Sequence, residues 1–339
     1  MDWTRVIRRL LRWTAGLAGT LYAFILVLDP YQNVPFAPDL PRAPVATNQR
    51  FSYPAIARDA RFDALVMGTS TTRLLDPARL GALTDARVAN LAMNSATAYE
   101  QARMFDLFVR HHPALRYVVL GVDEAWCMLD DAPDPYTFRA FPEWMYDDNP
   151  WNDLGYLFND KALEDAVRML ELLLGAREPK YRRDGYSDFT ADFGPRSAAA
   201  VRRRLYGAAG PQAVADAAVV PVPGPPGWRF GALAKLPALL GAAPAGTRIV
   251  VIFPPFHARQ VAGHAGRLAA CKGRMLEHTA AIPRLSVLDY MFVSPLTRDD
   301  DNYWDLLHFT RAVAERIEHD VAQVLDGGTP SAPDVRVLR

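Results

Sequence analysis

The chain alternates short, almost wholly apolar runs with longer stretches in which apolar residues recur every three or four positions. Residues 62–67 (FDALVM), 87–92 (RVANLA), 116–122 (RYVVLGV), 248–253 (RIVVIF) and 285–290 (LSVLDY) are of the first kind. Bounded by glycine or polar residues, such runs predict buried parallel strands. Between them, Asp76-Pro77 is a helix start with proline at the first helical position, which predicts a short helix over 77–83. Thr97 caps a helix in which Ala98, Ala102, Phe105 and Val109 recur at helical spacing, closing near His111-His112-Pro113. A helix through 259–281 follows the fourth run, and a closing helix starts near Thr310 with Val313, Ile317, Val321 and Val324 on one face. The alternation predicts a doubly wound α/β fold: flavodoxin-like, three layers α/β/α, around a five-stranded parallel sheet.

The pattern breaks after the third run. A long insertion, about 124–246, carries Tyr136, Phe138, Phe141, Trp144, Tyr146, Trp151, Tyr156 and Phe158. A helix over 161–174 follows, then the basic cluster Lys180, Arg182 and Arg183, a second basic helix around 202–205, a Pro/Gly-punctuated loop at 221–227 and a helix over 230–240. An insertion at the carboxyl end of a strand is placed to form a lid or a substrate wall. Its aromatic residues suit either a sugar-stacking platform or a small satellite core.

Ahead of the first strand, Arg5, Arg8, Arg9 and Arg12 precede an uncharged apolar segment, residues 13–28, ending at Asp29-Pro30. This is slightly short for a bilayer span, but Arg12 can snorkel and residues 6–11 add apolar length. The positive-inside bias keeps the N-terminus cytoplasmic and sends the remainder across the membrane. A cleaved signal peptide and an ordinary buried helix are the competing readings; an uncleaved signal anchor accounts best for four arginines on one flank and no small-x-small site after the run. The expected domains are an anchor with its basic flank at 1–29, a proline-rich tether at 30–60, the α/β domain at 61–325 and a disordered tail at 326–339.

At 339 residues the chain can bury a large core, and 38 basic against 38 acidic residues give no overall field to attract nucleic acid. Only two cysteines occur, Cys127 and Cys271; they suit either a single bridge in an oxidising compartment or two buried free thiols. No metal-ligand spacing appears, and no cofactor motif.

The chemistry gathers around Ser70, in the turn Gly68-Thr69-Ser70 that follows the first strand. A serine hydroxyl needs a base in hydrogen-bond contact and an acid to orient that base. His308 is the candidate base, and Asp305, three residues earlier, reaches the far imidazole nitrogen if the intervening residues turn. In a doubly wound sheet the loops after the first and last strands lie at one rim. Arg73 is placed to bind an anionic group or to pair with Asp123 or Glu124, and His257 either lines the pocket or serves as a loop histidine.

On these residues the sequence resembles the SGNH/GDSL hydrolase superfamily. Gly68-Thr69-Ser70 stands where that superfamily has its Gly-Asp-Ser nucleophile block, and Asp305-Leu306-Leu307-His308 stands for its C-terminal Asp-x-x-His block. The Gly-Thr-Ser variant resembles a membrane-anchored or periplasmic branch associated with O-acylation of envelope polysaccharides. The likeness covers roughly 60–123 and 247–325 and leaves out the insertion. The second block reads Asn90-Leu91-Ala92-Met93-Asn94-Ser95, and Gly121-Val122-Asp123-Glu124 replaces the third block's Gly-x-Asn-Asp, so an acid stands near the usual asparagine donor. A carboxylate does not donate to an oxyanion unless protonated. Ser70 N–H and the Asn94 side chain are the donors left, and Gly68, Asn94, Arg73, Asp123 and His257 form the candidate oxyanion and substrate-binding set.

The resemblance implies a serine esterase or O-acyltransferase at the outer face of the cytoplasmic membrane, acting on acyl, foremost acetyl, esters of cell-envelope or exported polysaccharide. Its partners would be that polysaccharide, the membrane and a membrane acyl-donor protein. The alternative is a non-catalytic envelope protein that keeps the fold to bind carbohydrate or to assist assembly.

Overall fold

The computed structural model describes residues 2–210, 213–217, 219–330 and 333–339. They fall into two compact units, one of residues 1–56 with 141–183 and one of residues 57–140 with 184–339.

The second unit is an α/β domain. Its sheet has six strands: β1 (Ala64–Met67), β2 (Val88–Asn90), β3 (Tyr117–Gly121), β4 (Arg248–Phe253), β5 (Leu285–Asp289) and β6 (Arg336–Val337). They lie in the order β2-β1-β3-β4-β5-β6, the first five parallel and β6 antiparallel to β5. The strand count is therefore six where the apolar runs predict five. The extra strand comes from the tail expected to be disordered, where Leu338 N donates to Val287 O and Val287 N to Arg339 O, both at 2.9 Å. Two residues carry no periodicity to read. Strands β1 and β3 are buried along their whole length, as apolar runs require when both faces of a sheet are covered.

The helices between strands start where the caps indicate. Pro77–Thr84 begins on Asp76, whose side chain accepts from Ala78 N, and Ala98–His111 begins on a Thr97/Glu100 capping box. The closing helix Arg311–Leu325 buries Val313, Ile317, Val321 and Val324 in the same core as Val66, Val119, Val250 and Leu288. The stretch expected as one helix over 259–281 is two, Ala258–Gly263 and Ala265–His278. Cys127 and Cys271 are bonded to each other, so the reading of two free thiols is set aside. Both sulfurs belong to this unit, with Cα atoms 5.5 Å apart.

The first unit contains the helix Trp3–Leu28, which among the described residues is the one long and apolar enough to cross a membrane. The proline-rich segment after it is packed, not loose: Tyr31, Val45 and Ala46 are buried, and Tyr181 Oη donates to Thr47 O at 2.6 Å. It also holds a helix, Gln49–Ala57, that its composition hides, because Pro54 sits inside it. Proline cannot give the N–H that would reach Arg50 O one turn back; the Tyr146 hydroxyl donates to that carbonyl instead, at 3.0 Å. The insertion expected at 124–246 is thus divided, with 141–183 in this unit. There Tyr146 is buried and Trp144 stacks on Tyr156 with ring centres 5.4 Å apart, but Trp151, Tyr156 and Phe158 are each more than half exposed, so the insertion's aromatic residues do not close into one satellite core.

Candidate active site

Parallel strands end at one rim, and in this sheet the chain order reverses between β1 and β3. Ser70 lies just past the end of β1 and Asp123 just past the end of β3, its neighbour in the sheet. Gly68 makes the turn possible. Its φ is +146°, and a Cβ there would run into the Thr72 side chain; so would one on Gly121 in the adjoining strand. Two hydrogens in place of two methyl groups let Ser70–Thr72 close as a short 3-10 turn against β3.

Ser70 Oγ lies 2.8 Å from His308 Nε2. On the far side of the ring, His308 Nδ1 lies 2.8 Å from Asp305 Oδ2 and 3.0 Å from Oδ1. Asp305 Oδ1 also accepts from the backbone N–H groups of Leu307 and His308, each at 2.8 Å. That double bond to the backbone is what an Asp-x-x-His spacing allows: the carboxylate folds over its own turn and meets the imidazole on the same side. Burial works against the Asp305 charge, but the His308 bond, the electrostatic pull of the imidazole and the two N–H groups outweigh it, holding the carboxyl below its ordinary value.

Asp123 does not face the mouth of the site. It is 3% exposed and accepts at Oδ2 from the Thr69 hydroxyl and, at 2.8 Å, from the Thr71 hydroxyl; Oδ1 accepts from Ala125 N at 3.0 Å. It clamps the residues on either side of Ser70. Burial pushes its carboxyl above the ordinary value, against the pull of the two hydroxyl bonds.

Arg73 pairs with neither Asp123 nor Glu124. The latter accepts from Gln260 and Arg267, whereas Arg73 Nη1 donates to Asn94 Oδ1 at 2.6 Å and the guanidinium sits 4.5 Å from the centre of the Phe189 ring. His257 stands away from the triad. It is 1% exposed, caps the helix Ala258–Gly263, sends Nε2 to Asp300 Oδ1 at 3.2 Å, and its backbone N–H donates to Leu306 O at 2.9 Å. It therefore pins the loop that carries Asp305 and His308. Burial favours its neutral form, with Asp300 opposing.

The walls of the site hold residues that sequence patterns did not single out. Phe189 meets the His308 ring at 5.5 Å and Phe193 at 5.6 Å, and Phe193 stacks on Trp304 at 5.4 Å. Phe189 caps and Phe193 closes the short 3-10 segment Thr190–Phe193, which carries both rings to the histidine. Among the described residues no cluster of His, Cys, Asp or Glu is arranged to hold a metal ion. No protein-family model matches the chain, and no curated protein matches it.

Proposed function

We propose that the chain is an SGNH-like serine esterase or O-acyltransferase, with the 2.8 Å approach of Ser70 Oγ to a His308 held by Asp305 as the observation that carries the reading. Ser70 Oγ attacks the carbonyl carbon of an acyl ester and its proton passes to His308 Nε2. The oxyanion that forms is met by Ser70 N–H, which heads a 3-10 turn and so has no partner within it, and by the side-chain amide of Asn94. Collapse of the tetrahedral species expels the alcohol, which takes the proton from His308 and leaves the acyl group on Ser70. An incoming hydroxyl, of water or of a sugar, then gives its proton to His308 as it attacks, and Ser70 is restored.

The parallel strand order β2-β1-β3-β4-β5 supports a flavodoxin-like, three-layer arrangement, in which ligands bind where the order reverses. The arginines ahead of the apolar part of Trp3–Leu28 support a single-pass anchor with the α/β unit on the periplasmic or outer side. The Cys127–Cys271 bond supports the same side, because such bonds persist outside the reducing cytosol. Envelope polysaccharide is the substrate class that this location and the resemblance favour together.

A serine-reactive fluorophosphonate, applied to the full chain in detergent and read by intact mass, tests the nucleophile. One adduct on the parent and none on Ser70→Ala is expected. An unlabelled parent, or equal labelling of the variant, overturns the reading. Release of an aryl acetate with and without an oligosaccharide acceptor then separates hydrolysis from transfer.

A further inference from the structure

The N-terminal helix is covered unevenly. Residues 13–17 stand exposed, whereas Leu154, Gly155 and Phe158 lie against Ala18, Gly19 and Tyr22, and the helix Asp160–Leu173 also packs against the N-terminal helix. Tyr22 Oη donates to Leu154 O at 2.8 Å, and Tyr22 meets Phe158 edge to face at 5.6 Å. Ala18, Gly19, Tyr22, Leu154, Gly155 and Phe158 line a groove of about 380 Å³, almost all of it carbon. On the same segment Trp151, Tyr156 and Phe158 are 62%, 57% and 54% exposed, and Phe36, itself 54% exposed, lies 5.9 Å from the Trp151 ring. Large rings grouped on an open surface mark contact with something apolar.

Depth decides what that is. At 1.5 Å per residue, residues 13–28 are about 24 Å long, less than the ~30 Å of a hydrocarbon core, so the whole uncharged stretch is needed to span it. Ala18 to Tyr22 then lie about 9–15 Å inside the end at Leu28. Sliding the helix to lift them out would draw Arg5, Arg8, Arg9 and Arg12 into the hydrocarbon. Whatever touches Ala18, Gly19 and Tyr22 goes into the bilayer with them. Trp and Tyr are the side chains that settle at the headgroup boundary. Asn149 and Asn159 bracket the segment; within it Asp153 is buried and Asn152 donates to Asp147 at 3.1 Å, so its polar side chains are turned to protein partners.

Resting on the reading of Trp3–Leu28 as a membrane span, we propose that residues 150–158 form a foot embedded in the bilayer half nearer Leu28. The groove against Ala18, Gly19 and Tyr22 holds the acyl chain of a membrane lipid. The foot is a second point of attachment, distinct from the helix itself.

Full-length protein in vesicles of phosphatidylcholine and phosphatidylglycerol, doped with a lipid carrying a diazirine on its acyl chain, tests this after irradiation and peptide mapping. Adducts are expected on 13–19 and on 150–158. Gly155→Trp fills the groove at a position where an added Cβ meets nothing within 4 Å. It should cut adducts on Ala18 and Leu154 severalfold while those on 13–17 persist. Adducts on the helix with a clean 150–158 segment overturn the foot and leave the anchor standing. Chain-to-chain cross-links through 154–158 in place of lipid adducts overturn it in favour of a second copy in the groove. A chain unlabelled throughout overturns the anchor, and the foot with it.

Discussion

Removing the carboxylate of Asp123 gives the sharpest test of how the nucleophile turn is built. Asp123→Ala takes an acceptor from three donors at once: the Thr69 hydroxyl, the Thr71 hydroxyl and Ala125 N–H. A buried donor left without a partner costs about 1–3 kcal/mol, so with the two hydroxyls buried a loss of about 2 kcal/mol in stability is the lower end of the range. The effect on chemistry comes through Ser70, which sits between the two threonines and must meet His308 at 2.8 Å. A displacement of the order of 1 Å at a reacting group costs roughly a hundredfold in rate. Asp123→Ala should therefore lower kcat/KM for an aryl ester about a hundredfold, mostly in kcat. Asp123→Asn behaves differently: its oxygen can serve Ala125 N–H while its NH2 donates to hydroxyls that also accept, so its activity should stay close to the parent's.

The charge adds a pH signature. Burial raises the folded carboxyl above its ordinary 3.8, so the folded state binds the proton more tightly than the unfolded chain. Stability is then fullest below the ordinary value and falls as pH rises through the raised one; Asp123→Asn should abolish that fall. Steady-state kinetics on the three proteins, with chemical denaturation across that pH range, measure both effects. Asp123→Ala that loses stability but keeps kcat within a few-fold of the parent refutes the clamp and makes Asp123 a structural acid alone.

Asp305→Asn should lower kcat about 10,000-fold with little change in KM, because the imidazole loses the group that fixes its tautomer. Its pH effect on stability has the opposite sign to that of Asp123. The Asp305 carboxyl is held below 3.8 in the fold, so its contribution is present above that value and disappears as pH falls through the depressed one; acid unfolding of the variant should lack that component. Opening the Cys127–Cys271 bond, which closes a loop spanning a sequence separation of 144, should lower the unfolding free energy by about 5 kcal/mol on the chain-entropy model. Guanidinium denaturation with and without reductant checks it, and an unchanged midpoint counts against the bond.

What the sequence disclosed follows from how local each signal is. The five parallel strands are runs of apolar residues whose burial needs no partner to be named, and the Thr97/Glu100 cap is written within four positions. Asp305 and His308 declare each other for the same reason. Ser70 needed only the glycine and strand before it. The helix over Pro54 stayed hidden because its stabilising donor, Tyr146, arrives from far along the chain. Strand β6 is too short for a period, and Phe189 and Phe193 reach His308 only through the tertiary fold. Asp123 was legible as an acid near the site but not as a clamp, since its sequence does not say which way the carboxylate turns.

The spacing of Asp305 and His308 also sets the order in which the triad is made and lost. Base and orienting acid are three residues apart and joined through backbone N–H groups as well as the imidazole, so they form as a local turn. Ser70 is 238 residues away from His308, and its contact waits on the sheet. Local closures form quickly and cheaply, whereas distant ones carry the entropy of the intervening chain. The three side chains therefore present the chain with a single long-range joint, and on warming that joint should part while the histidine still holds its carboxylate.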